Sequence, residues 1–210
     1  MNIETSPDGT TPGNDACLGP ELAAHQRPDT VRAAWQLVNS VGGYLLAWVL
    51  MFFTVDISWW LTVPLAVLAA GLLVRVFLIM HDCAHGSFLG SRRVNDVVGV
   101  LCGALAWTPY FRWRWEHARH HATSGNLEHR GIGDIWTMTV EEYQQSSRLR
   151  RLGYRLVRNP VCLFGVGPFW LMLGKERLPH GTPNRRAKRS VWWTNLFILG
   201  MAAIGVTVFG

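Results

Sequence analysis

No two cysteines in this 210-residue chain are spaced as a C-x-x-C pair or a zinc finger; the four stand at positions 17, 83, 102 and 162. A disulfide framework is therefore not indicated. The first 30 residues lack both the basic start and the apolar core of a signal peptide and are rich in Gly, Pro, Asp and Thr. The formal charge of +6 comes with no nucleic-acid motif, and basic loops beside apolar spans have a membrane explanation. Nucleic acid is therefore not an expected partner. Disorder is excluded by the 49% hydrophobic content and the 11 tryptophans.

Charge itself is scarce along three stretches. Residues 35–55 carry none, residues 57–80 carry only Arg75, and residues 191–210 carry none. Each is about as long as the roughly 20 residues needed to cross a hydrocarbon core of about 30 Å. Pro64 is a candidate kink in the second run, and Arg75 is expected to snorkel to the interface. The expected fold is all-α, a membrane-embedded helical protein. It divides into a polar tail (1–34), a transmembrane hairpin (35–80), a cap at or outside the interface (81–190) and a third span (191–210). Residues 81–190 hold 17 of the 20 lysines and arginines against eight acidic residues, a net +9, while the turn near Asp56 has no basic residue. By the positive-inside rule the cap and the tail face the cytoplasm.

Histidine is concentrated where the charge is. Five of the eight histidines fall between His81 and His121, as His81-Asp82-Cys83-Ala84-His85 and His117-Ala118-Arg119-His120-His121. Residues three and four apart share a helix face. At about 100° per residue, His120 and His121 lie to either side of His117, and Cys83 points about 160° away from both His81 and His85. Neutral imidazole is the commonest side-chain metal ligand, and a histidine-rich, cysteine-free set suits iron, zinc, copper or nickel. A single His pair is more often a core pair than a site; two clusters in one window point to a metal centre. Asp82 is placed to accept the outer ring N–H of a ligating histidine, although a solvent-facing charge explains it equally well.

The segments H-D-C-A-H-G-S-F (81–88) and H-A-R-H-H-A-T-S-G-N (117–126) resemble the first two histidine boxes of the membrane fatty-acid desaturases. The resemblance continues through R-G-I-G-D-I-W-T (130–137), V-E-E-Y (140–143) and Y-R-L-V-R-N-P (154–160), as in bacterial and plastid acyl desaturases that act on oleate-like chains. It covers most of residues 40–200. It implies a four-span protein, of which three candidate spans are present here, with a cytoplasmic cap holding two irons on histidines. His81, His85, His117, His120 and His121 would be ligands, molecular oxygen the co-substrate, and a fatty acyl lipid or acyl thioester the substrate. No H-P-G-G heme motif or flavin fingerprint is present, so the electrons would come from a separate donor such as ferredoxin or a cytochrome.

Further features are read against that resemblance. Trp107, Trp113 and Trp115, with Tyr110 and Phe111, either line an acyl entry or hold the cap at headgroup depth. Residues 97–107 and 161–173 are too short to span. Arg148, Arg151, Arg155 and Arg158 form a stripe beside Leu149, Leu152 and Leu156, suited to an anionic lipid surface or an acidic electron donor. Related di-iron hydroxylases and ketolases share such boxes. A zinc membrane hydrolase is a further alternative, yet no H-E-x-x-H occurs and Glu116 directly precedes His117. The third H-x-x-H-H box that the resemblance implies finds no match after Ala122. The 210-residue chain is thus expected to be a truncated piece, inactive alone unless a partner supplies that box, and a non-catalytic membrane fragment is the corresponding alternative.

The charge asymmetry yields a test. In intact cells, with native cysteines replaced, Ser58→Cys is expected to react with an impermeant thiol reagent and Ser147→Cys to be protected. External labelling of Ser147→Cys would reverse the orientation.

Overall fold

Asp29 starts the first helix. Its carboxylate accepts from the N–H groups of Val31 (2.9 Å) and Arg32 (3.1 Å), donors that have no partner inside the helix. Helix α1 (Thr30–Thr54) thus begins ahead of the apolar run expected from residue 35, and it carries a π-helical turn at Val38–Gly42. A computed structural model describes residues 28–209 except 132 and 183. The expected polar tail therefore lies almost wholly outside the described residues. Ser58 caps helix α2 (Trp59–His85), which continues through Pro64 and ends where Gly86 takes a left-handed φ of 78°. At 1.5 Å per residue those 27 residues span about 40 Å, some 10 Å more than a hydrocarbon core. The surplus is the stretch that carries the first histidine box.

Small residues bring α1 and α2 together. Ala47 and Ala69 are buried, and Gly43 lies where a Cβ would meet Leu72 at 3.3 Å. On the outer faces Trp35, Leu46, Phe53, Trp60 and Val67 are exposed, as lipid-facing side chains would be. The Arg75 guanidinium donates to Asn39 Oδ1 of α1 at 2.7 Å. A cation in an apolar span needs an acceptor, and the neighbouring helix supplies one.

Helix α3 (Arg92–Leu105) folds back over the end of α2. The connecting turn is closed by buried Asn95, which accepts from Leu89 N–H (3.0 Å) and donates to the carbonyls of Leu89 (2.5 Å) and Ser91 (3.0 Å). Helix α4 (Tyr110–Thr123) follows a tight turn in which Trp107 adopts φ 54°. Val76, Ile79, Met80, Cys83, Phe88, Cys102 and Tyr110 form the core beneath these helices. Two glycines of α3 make the close approach possible: a Cβ on Gly99 would stand 2.2 Å from the Tyr110 ring, and one on Gly103 2.7 Å from the Thr108 carbonyl oxygen.

An irregular stretch leads to α5 (Val140–Gln145), started by a capping box between Thr139 and Glu142. Then come α6 (Arg148–Arg158) and a π-rich helix α7 (Val161–Arg177), bent by 63° from α6. Two arginines of the α6 stripe turn inward: Arg155 donates to the Tyr143 hydroxyl (2.6 Å), and Arg158 to the Trp136 carbonyl (3.2 Å) and Thr137 Oγ1 (2.8 Å). Finally α8 (Arg185–Phe209) packs on α3 and α4. The fold is all-α, and no strand occurs among the described residues. Three helices are long and apolar enough to cross a membrane, and α6 with α7 would make a fourth, broken span or a re-entrant pair.

The contact at Gly103 sets a stability expectation. Gly103→Ala pushes a methyl against backbone, an overpacking that costs about 1–3 kcal/mol, whereas Gly200→Ala meets nothing within 4 Å. Unfolding in detergent followed by circular dichroism should show a lowered midpoint for the first variant only; equal midpoints would contradict the packing.

Candidate metal centre

The last turn of α2 sets His81 and His85 on one face, and α4 does the same for His117 and His121. Packing of α4 against α2 brings the two pairs together. His117 Nε2 lies 3.0 Å from His85 Nε2, 3.1 Å from His81 Nε2 and 3.0 Å from His121 Nε2. The Trp113 ring stacks on His117 at 4.3 Å with an 18° tilt and meets the edge of His81 at 5.8 Å. His85 and His121 are exposed, so one side of the cluster is open.

Hydrogen bonding alone cannot account for this arrangement. A neutral imidazole Nε2 offers one N–H or one lone pair, yet that of His117 has three nitrogens within hydrogen-bond distance. A cation at the centre accepts all four lone pairs at once. The four nitrogens lie within 4.8 Å of one another, so a single ion among them would be in reach of each. Burial, then the neighbouring His81 and His121, push His117 down to about 4. At neutral pH the ring is therefore neutral, and its Nδ1–H tautomer offers the Nε2 lone pair to a cation. The residues fit a divalent transition-metal ion, and among the described residues this is the one such group.

One ring nitrogen facing away from the cluster meets a carboxylate. His81 Nδ1 is 3.0 Å from Asp82 Oδ1. His120 stands apart from the four, with its Nδ1 2.8 Å from Asp134 Oδ1. The loop reaches it because Gly133, at φ 77°, comes so near that a Cβ there would be 3.0 Å from His120 Cβ. Asp134 received no role from the sequence, although it lies in the G-I-G-D run that follows the second box. Trp107 and Trp115 do not join the cluster. Trp107 supplies its carbonyl to Arg177 at the turn before α4, and Trp115 packs under the Arg119 guanidinium at 5.0 Å. His129 and His180 are outside it as well, and His25 lies outside the described residues. A groove of about 1040 Å³ opens between α3, the start of α4 and α8, and none of the histidines lines it.

A helical, membrane-associated protein with a histidine-only metal cluster at the end of a span is the class that this geometry defines. The chain belongs to the fatty acid desaturase family: the family profile described as fatty acid desaturase matches residues 58–210. It is 41% identical to a fatty acid desaturase of Bacillus subtilis (strain 168) over 92% of this chain and 55% of that protein. It is 36% identical to the sn-1 oleoyl-lipid 12-desaturase of Synechocystis sp. over 53% of this chain and 29% of the relative. It is also 32% identical to the sn-1 acyl-lipid omega-3 desaturase (ferredoxin) of the same organism, over 67% and 39% respectively. The chain thus spans about half, or less, of the length of these relatives. No solved structure matches it.

The depressed His117 titration is measurable without metal. An unfolded histidine titrates near 6.5, so between about 6.5 and 4 the unfolded chain binds the extra proton. Apo stability should therefore fall as pH drops through that window, and His117→Gln should flatten the dependence. In imidazole NMR, a His117 midpoint at about 6 or above would mean a solvated ring rather than a packed cluster.

Proposed function

We propose that this chain carries the first two histidine boxes of an oxygen-dependent acyl desaturase, with one iron on His81, His85, His117 and His121. The observation that carries the reading is the contact of three imidazole nitrogens with His117 Nε2 at 3.0–3.1 Å. His120, oriented by Asp134, is the available ligand toward a second iron, which needs further donors, since even open oxygen-activating sites keep about three protein ligands per ion. Iron with oxygen supplies the oxidising power to remove two hydrogens from an unactivated methylene pair. One O2, two donor electrons and two protons are consumed for each double bond and two waters formed.

The residues of the chain prepare that chemistry. Asp82, accepting from His81 Nδ1–H, leaves the Nε2 lone pair directed inward. Stacking by Trp113 limits rotation of the His117 ring and covers it from water. The substrate is a fatty acyl lipid or thioester, and ferredoxin, printed in the name of one relative, or a cytochrome is the electron donor. The excess of basic residues in 81–190 supports a cap on the cytoplasmic side, with α6 and α7 entering the membrane as a re-entrant pair.

Metal analysis of the full 210-residue protein in detergent tests the reading. Purified protein should bind iron in preference to zinc. His85→Ala should lose the iron on the four-histidine cluster, whereas His120→Ala, at a residue that stands apart from the four, should retain it, both with unchanged helical circular dichroism because the spans fold independently of the cluster. Zinc retention with lipid or peptide hydrolysis would replace the desaturase reading by a hydrolase. Full iron in His85→Ala would remove the assignment.

A further inference from the structure

Asp96 of α3 lies where α2, α3, α4 and α8 meet, and its carboxylate is only 13% exposed. Its Oδ1 accepts from Arg114 Nη1 (2.9 Å) and from the Tyr110 hydroxyl (3.1 Å), with Arg92 Nε at 3.9 Å; its Oδ2 accepts from Arg186 Nη2 of α8 (3.0 Å). One carboxylate thus holds three arginines and a tyrosine that come from three helices.

Two of those partners reach the first histidine box. The Tyr110 hydroxyl is also 3.0 Å from the Cys83 carbonyl oxygen, and Arg92 Nη2 donates to the Ala84 carbonyl at 3.3 Å. Cys83 and Ala84 lie between His81 and His85, in the last turn of α2, where carbonyls lack intrahelical donors. The Cys83 carbonyl accepts from the Gly86 N–H at 3.0 Å and also shares the single Tyr110 hydroxyl proton with Asp96, while Arg92 donates to the Ala84 carbonyl. On the other side Arg114 is one helical turn before His117 on α4. The ring of Tyr110 is fixed in turn, because it fills the space over Gly99.

We infer that Asp96 is a positioning residue for the histidine cluster, acting through Tyr110 and Arg92 on the end of α2 and through Arg114 on α4. This rests on the reading that the four histidines hold a metal ion. Asp96 touches none of the histidines, so its effect is on the alignment of the donors. Removing its charge leaves three arginines crowded together without a counter-charge, and they relax by moving apart. The last turn of α2 moves with Arg92 and Tyr110, and the nitrogens lose their common centre.

The test uses the metal-free 210-residue protein in detergent, titrated with Co²⁺, whose visible absorption reports ligand geometry. Wild type should give a single saturable band that His85→Ala abolishes. Asp96→Asn and Tyr110→Phe should each bind Co²⁺ about tenfold or more weakly, the range seen when groups behind metal ligands are removed. Both should show a shifted or broadened band with helical circular dichroism intact, and the double variant should lose little beyond Asp96→Asn alone. If Asp96→Asn fails to fold, Tyr110→Phe, which keeps the ring over Gly99, decides the matter. Wild-type affinity and an unshifted band in the folded variants would overturn the inference while leaving the metal centre standing. No Co²⁺ binding by wild type would instead overturn the metal-centre reading itself.

Discussion

Three imidazole nitrogens crowded around a fourth, each near 3 Å, are unfavourable unless a cation sits among them, and the rest of the fold serves to hold that crowding in place. Each pair of histidines is one helical turn, so within a pair the spacing is set by the backbone. Between the pairs nothing covalent constrains it. The α2–α4 distance depends on Gly99 and Gly103, which let Tyr110 and Thr108 approach, and on the Met80–Cys83–Tyr110 core below. Dense packing transmits small displacements, so a metal centre built this way tolerates little change far from its ligands.

The lipid phase accounts for the other half of the architecture. Apolar side chains cover the outside of α1, α2 and α8, while alanine, glycine and threonine line the helix contacts. Between helices in lipid no hydrophobic driving force remains, and close packing with a few hydrogen bonds takes its place. Thr62 with Thr54 at 3.1 Å and Arg75 with Asn39 at 2.7 Å are such bonds. A helix longer than a hydrocarbon core is thick then carries the first box at its end on a rigid rod. The histidine cluster is thereby held at a fixed distance from the apolar part of the helix.

Outside the spans, many arginines share few carboxylates. Asp96 serves Arg92, Arg114 and Arg186, and Glu116 serves Arg112 at 3.0 Å and Lys175 at 3.3 Å. Buried Arg112 also donates to the carbonyls of Lys175 and Leu178, which fastens the end of α7 to α4. The cationic surplus of this region is thus used as structural cross-linking. A buried guanidinium with most of its donors satisfied is tolerable where an unpaired one would not be.

Local pattern carried a large part of this protein. Uncharged runs of about 20 residues define the spans, because lipid leaves a helix no other way to satisfy its backbone, and the four-residue spacing of His81 with His85 and of His117 with His121 defines two ligand faces. These properties repeat within a few residues and are written in the chain directly. Which distant groups meet is not. The 100° rotation per residue leaves His120 room on either side of His117, and its contact with Asp134 depends on a glycine loop closing over it. Arg75 reaches Asn39 only because α1 packs beside α2. Arg186 and Asp96, 90 residues apart, pair only once α8 lies against α3. Such partners depend on the interhelical distances, which no single segment encodes, and so the tertiary structure alone decided them.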